Sequence, residues 1–212
     1  MRKQLVWLMA APLLAGCDLD LSGLGSCQYD ESWTESVSAS GISTVELLAD
    51  AGDLRIEGRS DINTVRVRAT ACANNRNTLD EIDFDFFFNG STLEIESFAP
   101  LRDNSRIDLV IEVPVDMALA IFHDEGNIEV SNVDVVFIDD ESGNIQLNDI
   151  YFDVDIEDES GNIDIFRVGG DVTIEDGSGD IDVDDIGGDF RVLFDSSGTI
   201  RHRNVRGVVD LP

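Results

Sequence analysis

The 212-residue chain carries 44 Asp and Glu against 14 Lys and Arg, a formal net charge of −30. That imbalance argues against nucleic-acid binding, which needs clustered Lys and Arg to neutralise phosphate, and against a basic patch for anionic lipid. An apolar fraction of 42%, rich in Ile, Val and Phe, supplies material for a packed core and excludes a purely acidic disordered tail.

The chain opens with a basic pair, Arg2-Lys3, then an apolar run from Leu5 to Gly16. The run is too short for a transmembrane helix and has the length of a signal-peptide core. It ends Leu14-Ala15-Gly16-Cys17, which resembles a bacterial lipobox. Residues 1–16 therefore read as a lipoprotein signal peptide and Cys17 as the acylated residue, carrying diacylglycerol and palmitate-type chains. Several acyl chains hold firmly, because each buried CH₂ contributes roughly 0.8 kcal/mol. Asp18 resembles an inner-membrane retention signal of enteric bacteria, a rule that varies, so the choice of membrane stays open. The expected address is the bacterial cell envelope, facing the periplasm. Removal of Arg2 and Lys3 leaves 12 basic against 44 acidic residues, a net charge of −32, and no Lys at all. Schiff-base chemistry through Lys is thereby excluded.

With Cys17 acylated, Cys27 and Cys72 remain as a pair. An oxidising compartment favours a disulfide between them, worth roughly 4 kcal/mol in the chain-entropy picture. Their spacing does not suggest zinc, and the two histidines, His123 and His202, lie far from both cysteines.

Residues 17–36 read as the lipidated Cys and a polar tether. Residues 37–122 carry strand signals of uneven length: Leu54-Arg55-Ile56-Glu57, the alternating Val65 to Ala69, a hairpin across Asn89-Gly90, and Ile107 to Val113 ended by Pro114. No segment after the signal has a helical period. From residue 123 the chain repeats. Units begin at Gly126, Gly143, Gly161, Gly179 and Gly198, spaced 17, 18, 18 and 19 residues apart. Five apolar columns follow: Ile128/145/163/181/200; Val130, Leu147, Ile165, Val183, His202; Val133, Ile150, Val168, Ile186, Val205; Val136, Val154, Val172, Phe190, Val209; and Ile138, Ile156, Ile174, Val192, Leu211. The earlier Gly52-Asp53-Leu54-Arg55-Ile56 hints that the same architecture starts before residue 126.

These columns predict an all-β fold: a parallel β-solenoid, or single-stranded β-helix, with rungs of about 18 residues, preceded by irregular β-strands. The domains are a signal (1–16), a tether (17–36), an N-terminal β region of the solenoid (37–122) and the regular repeat (123–212). Tyr151, Phe152 and Phe166 are expected on outer faces or between layers. His202 reads as the atypical end of a column, where charge from Arg201, Arg203 and Arg206 blocks edge-to-edge association.

The run GNIQLNDI…SGNIDIFRVGGDVTIEDGSGDIDVDDIGGDF, preceded by Ile111-Glu112-Val113-Pro114, resembles the bacterial putative-adhesin family of unknown function, related to head GIN-domain proteins. The resemblance covers roughly residues 42 to 212 and implies a single-stranded β-helix in a cell-surface setting. It brings no catalytic residues to carry over.

Residues 124–195 hold 23 acidic residues and only two Arg, Arg167 and Arg191. Asp164 and Asp182 are expected outward and in register, and Asp153, Asp171 and Asp189 near a turn. Stacked carboxylates invite either a cation such as Ca²⁺ or plain solvation. The calcium β-roll pattern fails, because Ile181 stands where that motif places Asp, so a solvated acidic wall without cofactor is the expectation and these five Asp are weak metal candidates. Glycan hydrolase or lyase chemistry needs paired carboxylates in a cleft, and short uniform rungs offer none. No nucleophile elbow, phosphate loop or zinc-protease motif occurs. The expected function is a non-enzymatic, lipid-anchored envelope protein that presents an acidic face for interaction or adhesion with an envelope protein or glycan. The alternatives are a Ca²⁺-responsive envelope module and a glycan-active β-helix enzyme.

Overall fold

The computed structural model describes residues 27–212. The signal segment, Cys17 and the first half of the tether, residues 17–26, lie outside the described residues, and residues 29–36 fall within the first strand. What is described is almost entirely β. Its strands are β1 (Tyr29–Ser38), β2 (Thr44–Ala51), β3 (Leu54–Arg59), β4 (Thr64–Ala73), β5 (Asp83–Asn89), β6 (Thr92–Phe98), β7 (Arg106–Pro114), β8 (Ala118–Glu125), β9 (Ile128–Ser131), β10 (Val135–Asp140), β11 (Ile145–Ile150), β12 (Val154–Asp158), β13 (Ile163–Val168), β14 (Val172–Asp176), β15 (Ile181–Ile186), β16 (Phe190–Asp195), β17 (Ile200–Val205) and β18 (Val209–Asp210). The one departure is a helical turn at Arg76–Leu79, α1, where the Asn75 side chain accepts the Asn77 N–H at 2.9 Å. Four residues are too few to leave a period in the sequence.

The strands form two nine-stranded sheets. From β8 onward the chain alternates between them. One sheet takes β8, β10, β12, β14, β16 and β18, and the other takes β9, β11, β13, β15 and β17, each pairing in parallel with its neighbours. The register sets like against like: Ile145 lies between Ile128 and Ile163, and Val172 between Val154 and Phe190. Inward Ile, Val and Leu of both sheets are buried, each contributing on the order of 1.5–3 kcal/mol.

Spatial order departs from chain order before the repeat. Strands β2 and β3 lie between β6–β7 and β8–β9, paired in parallel on both sides. Leu54 and Ile56 of β3 therefore stack directly on Ile128 and Val130 of β9. Antiparallel strands close this end: β4 on β7, β1 on β4, and β5 on β6. Cys27 is joined to Cys72 of β4 with a Cα–Cα distance of 5.6 Å. Trp33 of β1 stacks on Phe84 of β5 with ring centroids 5.8 Å apart, bridging the two sheets.

Two backbone devices shape each repeat. The glycine column exists because successive corners nearly touch: at Gly161, φ is +156° and a Cβ would stand 1.5 Å from the Gly143 carbonyl oxygen. The second device is a left-handed residue at Asn132, Asp149, Arg167, Asp185 and Asn204, with φ between 53° and 62°. It inserts one residue between the second and third apolar columns, so Val183 and Ile186 both point inward at a spacing of three. Asn and Asp tolerate this conformation. Arg167 is held there by the Asp149 carboxylate and by its guanidinium, 4.0 Å above the Phe166 ring.

The columns weaken at the last strands. Ile200, Val205 and Val209 are half-buried and His202 is exposed. Leu211, expected in the fifth column, falls beyond β18 and is 38% exposed. A register shift after Ile174 brings Phe194, rather than Leu193, opposite Glu175.

Replacing Ile163, fully buried between Ile145 and Ile181, by Asp places an unpaired charge in the core and costs several kcal/mol. Thermal unfolding followed by circular dichroism should show loss of the native transition; an unchanged melting temperature would contradict the inward placement of this column.

Candidate functional site

In-register stacking turns every polar column into a ladder. At the glycine corner the Asn127 backbone and side-chain amides donate to Asp53 Oδ1 at 2.9 and 3.0 Å. Asn144 does the same to Asn127 Oδ1 at 3.2 and 2.9 Å, and Asn162 to Asn144 Oδ1 at 3.1 and 3.1 Å. The Asp180 N–H then donates to Asn162 Oδ1, and the Thr199 N–H to Asp180 Oδ1. At the other end the Asp53 N–H donates to Asp108 Oδ1. Asn suits the middle because its side chain accepts from one rung and donates to the other. The bond to Arg201 is the main influence holding the Asp180 carboxyl below its usual value.

Asp153, Asp171 and Asp189 form a second ladder at the Gly-Gly-Asp corner. Asp153 Oδ1 accepts the Asp171 N–H at 2.9 Å, Asp171 Oδ1 accepts the Asp189 N–H at 2.8 Å, and Asp189 Oδ1 accepts the Val208 N–H at 2.7 Å. The preceding glycines make room: a Cβ on Gly188 would stand 2.1 Å from Asp171 Oδ1. Arg191 neutralises part of this ladder through Asp189, with Asp171 3.7 Å away. These three carboxylates thus serve as backbone acceptors.

Asp164 and Asp182 are register neighbours on the outer face of β13 and β15. They share a surface depression of about 340 Å³ with Gln146, Asn148, Phe166 and Arg203. Arg203 reaches Asp182 and Asp184 at 3.5 Å each. On the other sheet, Asp139, Glu157 and Glu175 form an exposed row on adjacent strands. Tyr151, Phe152 and Phe166 are exposed on outer surfaces. Among the described residues no three His, Cys, Asp or Glu side chains converge on a position that could hold a metal ion.

A further column, not singled out by sequence reasoning, lies inside. Asp140, Asp158, Asp176 and Asp195 end β10, β12, β14 and β16 in register. The first three are buried, and one carboxyl oxygen of each of the four has no hydrogen-bond partner. The other oxygen of Asp158 accepts the Ser160 N–H at 3.2 Å, and that of Asp176 accepts the Ser178 N–H at 2.9 Å. Burial, with Asp140 and Asp176 beside it, pushes the Asp158 carboxyl up to about 7. Burial, with Asp195 beside it, pushes Asp176 up to about 6. Two carboxylates about 5 Å apart repel by roughly 3 kcal/mol at an effective dielectric of 20. The sequence does carry a signal, a fourfold Asp-x-Ser-Gly beginning at Asp140, Asp158, Asp176 and Asp195. A charged residue at a strand end reads by default as outward, which conceals it.

His123 of β8 continues this column and is buried. Its Nδ1 lies 2.7 Å from Asp140 Oδ1 and its Nε2 2.9 Å from the Gly52 carbonyl oxygen. A carbonyl only accepts, so Nε2 carries hydrogen. The His123–Asp140 contact then requires one further proton, on Nδ1 or on the carboxyl. His202, by contrast, is exposed at the far end, with its ring centroid 6.2 Å from that of Phe190.

No family model matches the chain, and no curated protein matches it. Among solved structures it is similar to a putative cell adhesion protein from Clostridium sporogenes ATCC 15579, with 11% identity, a TM-score of 0.44, and coverage of 86% of this chain and 99% of that one. It is also similar to a putative adhesin from Bacteroides fragilis NCTC 9343, with 11% identity, a TM-score of 0.41, and coverage of 85% and 96%. At these values the functional reading rests on this chain's own residues.

Asn162→Ala removes the acceptor of the Asp180 N–H and the donor to Asn144, and should cost about 1–2 kcal/mol. Asn162→Asp keeps the acceptor and should cost less. Urea unfolding of both variants measures the difference; equal, negligible losses would show that the ladder adds nothing to stability.

Proposed function

We propose that this chain is a lipid-anchored bacterial envelope protein, acylated on Cys17, whose two sheets are the walls of a β-solenoid that presents carboxylates for interaction or adhesion without catalysis. The observation that carries the reading is the outward register of Asp164 on Asp182 and of Asp139 on Glu157 on Glu175, repeated from strand to strand. Such rows offer a regularly spaced anionic surface to a cationic or hydroxyl-rich partner, an envelope protein or a glycan. The alternation of successive strands between the sheets supports the solenoid. From β9 to β18 the connections are only three or four residues long, so no loops project to enclose a substrate. This supports a surface used for contact rather than turnover and needing no cofactor. The disulfide between Cys27 and Cys72 accords with an oxidising envelope compartment.

Two measurements test the proposal in cells. Metabolic labelling with an alkyne fatty acid should mark the native chain and not Cys17→Ala, which should move from the membrane to the soluble fraction. A photo-crosslinking residue in place of Gln146 should capture a partner, and capture should weaken with added salt and in the D164N/D182N/D184N variant. Photochemistry is needed because the chain beyond residue 16 contains no Lys. An unlabelled chain would refute the anchor, and capture indifferent to the three substitutions would refute the acidic face.

A further inference from the structure

We propose that Asp158 and Asp176, in the middle of the inward column Asp140–Asp158–Asp176–Asp195, hold protons, and that release of those protons loosens the middle of the two-sheet stack. The column is built from four strands of one sheet, each placing its terminal carboxyl beside the next at the strand spacing of about 4.8 Å. Asp140, Asp158 and Asp176 are 1%, 6% and 0% exposed. Their free Oδ2 atoms, and Oδ1 of Asp195, are withdrawn from water without a protein donor. Buried oxygens in that state call for a bound positive charge.

The protein supplies one such charge at most. His123, from β8, sits at the Asp140 end, with Nδ1 against Asp140 Oδ1 and Nε2 against the Gly52 carbonyl. Every other titratable group at this site is acidic. The strands contribute Asp139, Glu157 and Glu175 on the outer side, and the following turn contributes Glu159, around a cleft of about 420 Å³. No Arg lines that cleft. The missing charge is met by protons rather than by a metal ion. The free oxygens occur one per strand and do not converge in threes, whereas a proton needs only a single carboxyl oxygen.

Asp158 and Asp176 titrate at about 7 and about 6 in the fold, and near 3.9 in the unfolded chain. Between these values the folded protein binds more protons, so this contribution is fully present below about pH 4 and is lost as pH rises through 6 and 7. Ionisation sets carboxylates against one another at the strand ends and draws water from the cleft toward the buried oxygens. The exposed row Asp139–Glu157–Glu175 sits one residue away on the same strands, so the spacing of that outer row changes with the state of the column.

The test uses the full chain in detergent. Its melting temperature should fall on the order of 5 °C between pH 5 and pH 8. The isosteric variant D158N/D176N should lose most of this dependence. D164N/D182N, which removes the same charge from the outer face, should keep it. Carboxyl ¹³C titration of the native chain should place the Asp158 and Asp176 midpoints above 5.5, and this readout decides the matter if the column variant does not fold. Midpoints near 4 for both, or a column variant with the native pH slope, would overturn the proposal. So would a melting temperature raised by 5 mM Ca²⁺ at pH 8 in the native chain but not in D158N/D176N, because the counter-ion would then be a metal.

Discussion

The repeat that makes up the second half of this molecule depends on parallel, in-register stacking of closely similar segments. Under that arrangement each side chain meets its own counterpart one strand away. Ile on Ile loses water and packs, which is favourable on every rung. Asn on Asn forms a chain of amide hydrogen bonds, because an amide both donates and accepts. Asp on Asp is favourable only where a backbone N–H, an Arg, water or a proton intervenes. The rule is one rule, and its sign changes with the chemistry of the column.

The large negative charge is thereby divided among distinct environments. Asp53 and Asp180 are absorbed into the corner ladder with the asparagines, and Asp153, Asp171 and Asp189 accept the backbone amides of the next rung. Asp164, Asp182, Asp139, Glu157 and Glu175 stand on outer faces, where water screens them. Asp140, Asp158 and Asp176 are buried. Arg residues are sparse and are placed where two acids converge, as Arg191 is at Asp171 and Asp189 and Arg203 at Asp182 and Asp184. Net charge therefore describes the individual carboxylates poorly here; the environment of each column decides what each carboxylate does.

Much of the core was legible because periodicity survives translation into three dimensions. The first four apolar columns coincide with inward, mutually stacked positions as far as the repeat stays regular, and the glycine column marks corners where backbones approach too closely for a Cβ. The fifth column fails at Leu211, which lies beyond the end of β18. Asp164 and Asp182 were readable as an outward pair from alternation alone. The buried acids were not, since alternation says which face a residue takes but not how deeply a strand end is covered by the turn that follows. His123 was equally opaque, because its partners are 17 and 71 residues away.

The sequence alone determined the all-β character, the repeat length, the inward columns, the density of acid along the repeat and the absence of Lys after Lys3, because each is a property of residue type and spacing. Tertiary structure alone decided that β2 and β3 insert between later strands, that antiparallel strands close one end, and that a left-handed residue shifts each repeat by one position. It also decided which carboxylates bond to backbone, which face water and which are buried. The physical reason is common to all of these: spacing along a chain dictates which side a residue faces, whereas solvation and proton affinity depend on what the rest of the fold brings alongside it.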